Sequence, residues 1–453
     1  MAEEKESTEM YSGPIAKTVF RNIIPAMLTS LLALVYNIAD TYFIGQTHND
    51  YMVAAVSLAA PVYLIFMALG TLFGVGGASV ISRDLGRGNR ERADRVSSFC
   101  TWTCVGVGIL FMLVLWIFMD QILVLLGASS ETMEYTRSYL TIVTSCGVFS
   151  MLVNCYSNLI RAEGKPTMAV VGMVAGNLIN LVLDPVFILG LGWGTSGAAI
   201  ATVIGQDAGA LIYIVYVLTG HFSFSASIRD FQAGDHICSN VLTVGIPASL
   251  TSLLMSFSQI IANSMISDYG DMAVAGYAVA GKVRMCIAVT GNGIGQGLQP
   301  ILAYCYGNQN RKRFSAFLRF SCLFALILFT AATVVCYIFT GPIVKAFLTQ
   351  DSALEYGMDF TRILLLSAWS IGIFSVFLNT LQSMGSGGPS LLASISRQGL
   401  FYIPLLFILR AFMGLYGLIY AQPAAELISL VIVAVLTWVT VRKFLKPEDG
   451  TPA

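Results

Sequence analysis

Four residues in the first half of this chain set oxygen donors in apolar surroundings: Asp40, Asn180, Asp184 and Thr202. Asp40 stands inside the stretch YNIADTYFIG, in a long apolar run whose only other charge beyond Lys17 is Arg21. A lone carboxylate in hydrocarbon costs at least ~2.5 kcal/mol on insertion scales, so an intramembrane acid is read as functional by default. Tyr36 and Asn37 precede it by four and three residues, which puts all three on one helical face. Further on, GNLINLVLDPVF places Asn177, Asn180 and Asp184 at i, i+3 and i+7, again one face. Pro185 has no N–H to give the carbonyl of Leu181, which leaves that oxygen available. Thr202 and Gln206 follow at i, i+4, and Asn154 and Asn158 share that spacing. Two carboxylates in one low-dielectric pocket cannot both ionise cheaply, so such a pair takes up and releases a proton near neutral pH. The same side chains offer only oxygen ligands, which suits a hard cation such as Na⁺. Proton and Na⁺ would then compete for one site, and no other cofactor is expected.

The elements that must hold these residues are membrane helices. Of 453 residues, 56% are hydrophobic and 11% charged, against roughly 25% charged in a soluble domain. The run from Val96 to Phe118 carries no charge, and a span needs ~20 apolar residues. Hydropathy gives about twelve spans, near 17–44, 51–82, 96–119, 134–160, 166–190, 195–219, 240–267, 273–303, 315–340, 356–383, 389–411 and 414–441. The zero net charge gives no case for a nucleic-acid partner. The nine cysteines have no CxxC spacing and read as small apolar side chains. The N-terminal MAEEKESTEMYSGPIAK lacks the apolar core and cleavage site of a signal peptide, so the first helix is expected to be retained. No P-loop, HExxH or GxSxG occurs, and no enzyme is expected. RDLGRGNRERADR, RAEGKP and GNQNRKRF are basic, whereas GQTHND and DYGD carry no lysine or arginine. Positive loops stay in the cytoplasm, which puts both termini inside.

The two halves are copies. IPAMLTSLL answers IPASLTSLL, FGVGG answers IGQGL, GRGNR answers GNQNR, and NLIRAEG answers NTLQSMG, all at an offset of 220 to 222 residues. Six spans per copy is an even number, so the repeats are parallel. Their polar residues differ. Asp40 is matched by Ala262 or Asn263, and Asp184 by Pro404 or Leu405. The second copy keeps amides: Gln259, Asn263, Asn292, Gln296, Gln299, Asn379 and Gln382. Its central carboxylate is Glu426, opposite Gln206, and Lys282 and Arg284 sit in its second span. Glu426, Asp207 and Arg397 fit structural pairing as well as function. The ion chemistry is therefore expected in the first lobe.

IADTYFIG, the glycine-rich end of span two leading into GRGN, NLIRAEGKP, NLINLVLDPVFI and GWGTSGAAIAT resemble the MATE (multidrug and toxic compound extrusion) family over nearly the whole chain. Within it the sequence is most similar to the bacterial DinF-like and MepA-like branch. The resemblance implies an all-α integral membrane protein with an N-lobe at 1–219, a cytoplasmic linker at 220–239 and a C-lobe at 240–453. It implies a cation site at Asp40, Asn180, Asp184 and Thr202. The substrate cavity is expected to draw on Tyr36, Asn37, Asn154, Asn158, Asn177, Gln206, Gln259, Asn263, Lys282, Asn292, Gln296 and Glu426. The activity implied is antiport: an amphiphilic, often cationic organic compound leaves a bacterium across its cytoplasmic membrane while H⁺ or Na⁺ enters. The partners expected are that compound and membrane lipids, around a monomer. The alternative is a lipid-linked oligosaccharide flippase of the same superfamily, which wants a cationic cavity; here Lys282 and Arg284 are the obvious candidates. A passive channel is the other class, and paired carboxylates poised for coupling argue against it.

Overall fold

The computed structural model describes residues 13–47, 49–220, 222–348 and 350–446, and within them the side chains of Asn37, Asp40, Thr41 and Asp50 lie outside the description. The described residues are helices and turns, without a strand. The first repeat comprises α1 (Ile15–Gly45), α2 (Asp50–Gly86), α3 (Arg90–Ile117), α4 (Met119–Leu125), α5 (Met133–Ser145), α6 (Gly147–Ala162), α7 (Pro166–Asp184) and α8 (Gly194–Leu218). The second comprises α9 (Ile237–Ser267), α10 (Asp271–Gly307), α11 (Arg311–Ile338), α12 (Thr340–Lys345), α13 (Asp351–Leu365), α14 (Ala368–Ser383), α15 (Gly387–Ile395) and α16 (Ile403–Leu445). Wider π-turns follow α7 at Pro185–Gly190 and α15 at Ser396–Tyr402.

Nine segments among the described residues are long and apolar enough to cross a bilayer. Two more crossings are bent pairs, α5 with α6 at 50° and α13 with α14 at 41°. The last segment, Gly387–Leu445, has 59 residues, about 88 Å at 1.5 Å each, where one crossing needs ~30 Å. It breaks at Gly414, whose φ of +59° and ψ of −132° are not helical. That break makes it two crossings and brings the described total to twelve, as expected from hydropathy.

Turn chemistry repeats with the sequence. Asn89 caps α3 by accepting from the Arg92 N–H at 3.1 Å, and Asn310 caps α11 by accepting from the Arg313 N–H at 3.0 Å. The left-handed residue before each cap is Gly88 (φ +76°) in one copy and Gln309 (φ +58°) in the other.

The chain divides into two compact units. Leu28–Ser249 forms the first; the second is described over 13–27 and 250–446. The first helix of each repeat thus belongs partly to each unit. Val19 and Ile23 of α1 lie in one core with Ile294 and Leu298 of α10. Ile237 and Val241 of α9 lie in the core of α2, α3 and α6. Glycine makes both approaches close enough for backbone contact. A Cβ on Gly76 would stand 2.3 Å from the Val241 carbonyl oxygen, and one on Gly297 would stand 2.7 Å from that of Asn22. These glycines of FGVGG and IGQGL serve helix packing.

The segment between α8 and α9 is folded onto the first unit. Phe222 is buried edge-on to Tyr156 and Phe224 edge-on to Phe222, and Phe231 stacks on Phe99. Ser98 and Trp102 donate to the carbonyls of Ser227 and Ala226 at 2.6 and 3.0 Å. Arg92 holds Asp84 through both carboxylate oxygens at 2.9 and 2.8 Å and also reaches Asp235 at 3.3 Å. In the second unit the matching Arg313 donates to the Gly13 carbonyl at 2.7 Å. Arg161, which the sequence placed in a basic loop, is a buried side chain near the end of α6 that donates to Asn158 at 3.1 Å.

Candidate functional site

Two helices of the first unit build the cluster by near-contact of their backbones. Gly176 of α7 and Gly205 of α8 face each other so closely that a Cβ on either would stand 2.6 Å from the other's carbonyl oxygen. Gly209 and Gly172 repeat the contact one turn away, at 2.8 Å. Small residues spaced by four allow such approaches in membranes. One turn beyond the contact, the residues are polar. Asn180 donates from Nδ2 to Thr202 Oγ1 at 3.3 Å and to Asp184 Oδ1 at 3.4 Å. Asp184 is fully buried, with Asn180 and Thr202 at 2% and 4% exposure. Buried acceptors here outnumber donors: Asn180 Oδ1 and Gln206 Oε1 have no hydrogen-bond partner among the described residues. Buried oxygens without donors suit a hard cation or a proton. Directly after Asp184, Pro185 ends the regular α-helix and the π-turn carries the chain to Gly190. Asp40 and Asn37 lie on α1, but their side chains are outside the described residues.

A cavity of about 40 Å³ adjoins the cluster, room for a few waters. Asn154, Asn177 and Gln206 line it, with Met67 and the Gly176–Gly205 contact. Asn154 donates to Met67 Sδ at 3.0 Å. Asn158 turns away to hold Arg161. Tyr36 is half-buried.

In the second unit the sequence-predicted residues separate into two groups. Gln259 donates to Asn263 Oδ1 and to Tyr277 Oη, both at 3.2 Å, and the Tyr277 and Tyr402 hydroxyls are 3.4 Å apart. Lys282 and Asn292 are exposed, Lys282 lying 5.9 Å over Phe347, and Gln296 is half-buried. Glu426 is buried in an ion pair with Arg284. Ser367 Oγ donates to its other oxygen at 2.5 Å and Gln422 Nε2 adds 2.9 Å. Arg284 is therefore the counter-ion of Glu426 rather than a free cavity cation. Arg397 lies in the π-turn, buried, with its guanidinium 4.7 Å above the Phe374 ring. Reasoning from sequence missed the Tyr277–Tyr402 pair and Ser367; the i, i+4 spacing of Gln422 and Glu426 was the one available signal.

Twelve crossings among the described residues, in two repeated six-span halves with buried polar clusters inside the helices, define a polytopic membrane protein of transporter architecture. The chain belongs to the MatE family, whose sequence model matches residues 25–186 and 247–408. It is 31% identical over 415 residues to the multidrug export protein MepA of Staphylococcus aureus (strain MRSA252), covering 91% of each chain. It is 31% identical over 412 residues to MepA of Staphylococcus haemolyticus, with the same coverage. Among solved structures, an outward-facing multidrug resistance MATE family transporter superposes with a TM-score of 0.91 at 23% identity, covering 97% of this chain and 98% of the other. A MATE structure in a straight conformation gives 0.91 at 23% identity, covering 97% and 99%. One in a bent conformation gives 0.89 at 23%, covering 97% and 98%.

Proposed function

We propose that this protein is a secondary active multidrug exporter of a bacterial cytoplasmic membrane, working as a monomer with both termini in the cytoplasm. Amphiphilic, often cationic organic compounds leave in exchange for H⁺ or Na⁺ by alternating access. The observation that carries the coupling is the buried Asp184–Asn180–Thr202 cluster, with the donor-free oxygens of Asn180 and the neighbouring Gln206. The MepA relatives support multidrug export as the task. A ligand shifts an equilibrium between two states only if it binds them differently. Proton or Na⁺ neutralises the acid cluster in one state, and α7 and α8 repack around it. The ion's entry down 100 mV supplies ~2.3 kcal/mol per charge. The test is dye efflux from proteoliposomes under an imposed pH or Na⁺ gradient. Asp184→Asn keeps the side chain's size and is expected to insert normally, bind dye and fail to pump it uphill. Uphill pumping by Asp184→Asn at the normal rate removes this cluster from the coupling. Movement of a lipid analogue in place of dye by the wild-type protein would favour a flippase.

A further inference from the structure

The internal repeat maps residues that line the small cavity of the first unit onto residues of the second. At an offset of 220 or 221 residues, Phe374 falls on Asn154 or Val153, Arg397 on Asn177 or Gly176, and Glu426 on Gln206 or Gly205. All six first-unit residues line the cavity. The second unit has thus placed an arginine, an aromatic ring and an acid where the first has amides and small residues.

The charges of this second cluster do not balance. Glu426 is saturated by Arg284, Ser367 and Gln422. Arg397, at 6% exposure, makes no hydrogen bond to any described residue; its contact is the stack on Phe374. Its charged neighbours are Glu426 and Arg284, two cations to one anion. A buried guanidinium with idle donors is expensive. Its planar fork matches a carboxylate through two parallel charge-assisted bonds. We propose that Arg397 is the anchor of an anion subsite in the second unit that takes the carboxylate of an exported organic acid or zwitterion. This extends the export reading from cations to compounds carrying both charges, and rests on it.

The test is equilibrium binding of a carboxyl-bearing rhodamine and of its methyl ester, a pair differing only at the acid, to the purified full-length protein. Arg397→Gln should lower affinity for the acid by about tenfold or more, since a lost charge-assisted bond is of that order, and leave the ester unchanged. Because removing a buried guanidinium can prevent insertion, Arg397→Lys is measured beside it; it keeps the charge, loses the fork and should fall at least ~threefold for the acid alone. Gly106→Ala, at a position with nothing within 4 Å of an added Cβ, should leave the acid-to-ester ratio as in wild type. An unchanged ratio in whichever folded Arg397 variant is recovered, or an equal loss for acid and ester, overturns the subsite. Export is read separately: failure of the wild type to pump either dye under a gradient refutes the export reading, whatever the binding ratio.

Discussion

Adding one methyl group at Gly205 tests whether the α7–α8 backbone contact sets the ion cluster. A Cβ there would stand 2.6 Å from the Gly176 oxygen and 2.9 Å from Asn180 Cβ, whereas ordinary contact starts at 3.4 Å. The helices must separate by the difference, about 0.8 Å. Carried to the next turn, that stretches Asn180–Thr202 from 3.3 Å to about 4.1 Å, beyond hydrogen-bond reach. Overpacking costs ~1–3 kcal/mol, and replacing a helical glycine returns ~0.5–1 kcal/mol, so Gly205→Ala should lose at most ~2.5 kcal/mol and remain folded. A misplacement of ~1 Å at a working site costs up to ~100-fold, so gradient-driven efflux should fall at least ~tenfold. Gly106, with nothing within 4 Å of its Cβ position, is the matched control, and Gly106→Ala should be silent. The assays are dye efflux in proteoliposomes and the rise in Tm of the purified protein on adding Na⁺ or lowering pH. A Gly205→Ala protein with wild-type efflux and a wild-type ion-induced rise in Tm would falsify the argument that this contact sets the site.

Glu426→Ala leaves Arg284 without its counter-ion and should cost ~3–5 kcal/mol, while the double variant Arg284→Met/Glu426→Leu should recover most of it; additive losses in thermal unfolding would refute the pairing. Arg92→Ala strips buried Asp84 of its bidentate partner and frees Asp235, so limited proteolysis should cut within 222–235 many times faster than in wild type. Gln309→Gly relieves a positive φ of 58° and should raise stability by up to ~1 kcal/mol, seen as a higher Tm; a lower Tm counts against strain there.

Much of the fold could be read from the sequence because its signals are strong and local. Apolar runs and basic loops marked the crossings, and the offset of about 221 residues marked the repeat. Asn180 and Asp184 share a face by spacing alone, and the structure brings Thr202 to them. What periodicity cannot carry is partner choice. Nothing in the pattern of α1 says that Val19 and Ile23 pack with Ile294 of the other repeat. Arg284 looked like a lone cation because its acid lies 142 residues away. Arg161 looked like a loop charge because its polar support, Asn158, is spread through an apolar helix. The bends at Cys146 and between Leu365 and Ala368 fall within stretches that are apolar enough to pass as one span each, so they left no mark.

The division of α1 between the units has a consequence for biosynthesis. Residues 13–27 leave the ribosome well before the rest of their unit, which is otherwise made of 250–446. At ~5–20 residues per second, the roughly 220 intervening residues take ~10–45 s to make. For that interval residues 13–27 wait in the membrane with their proper neighbours unmade, while α9 hands its own first turns to the unit already finished. A gene cut between α8 and α9 would therefore yield two fragments, each holding a piece the other needs. Neither could mature alone, and production of both in one cell would be the condition for either to persist. Quality control of this protein is by the same logic a test of the helices of 250–446, since only their arrival closes the place prepared for residues 13–27.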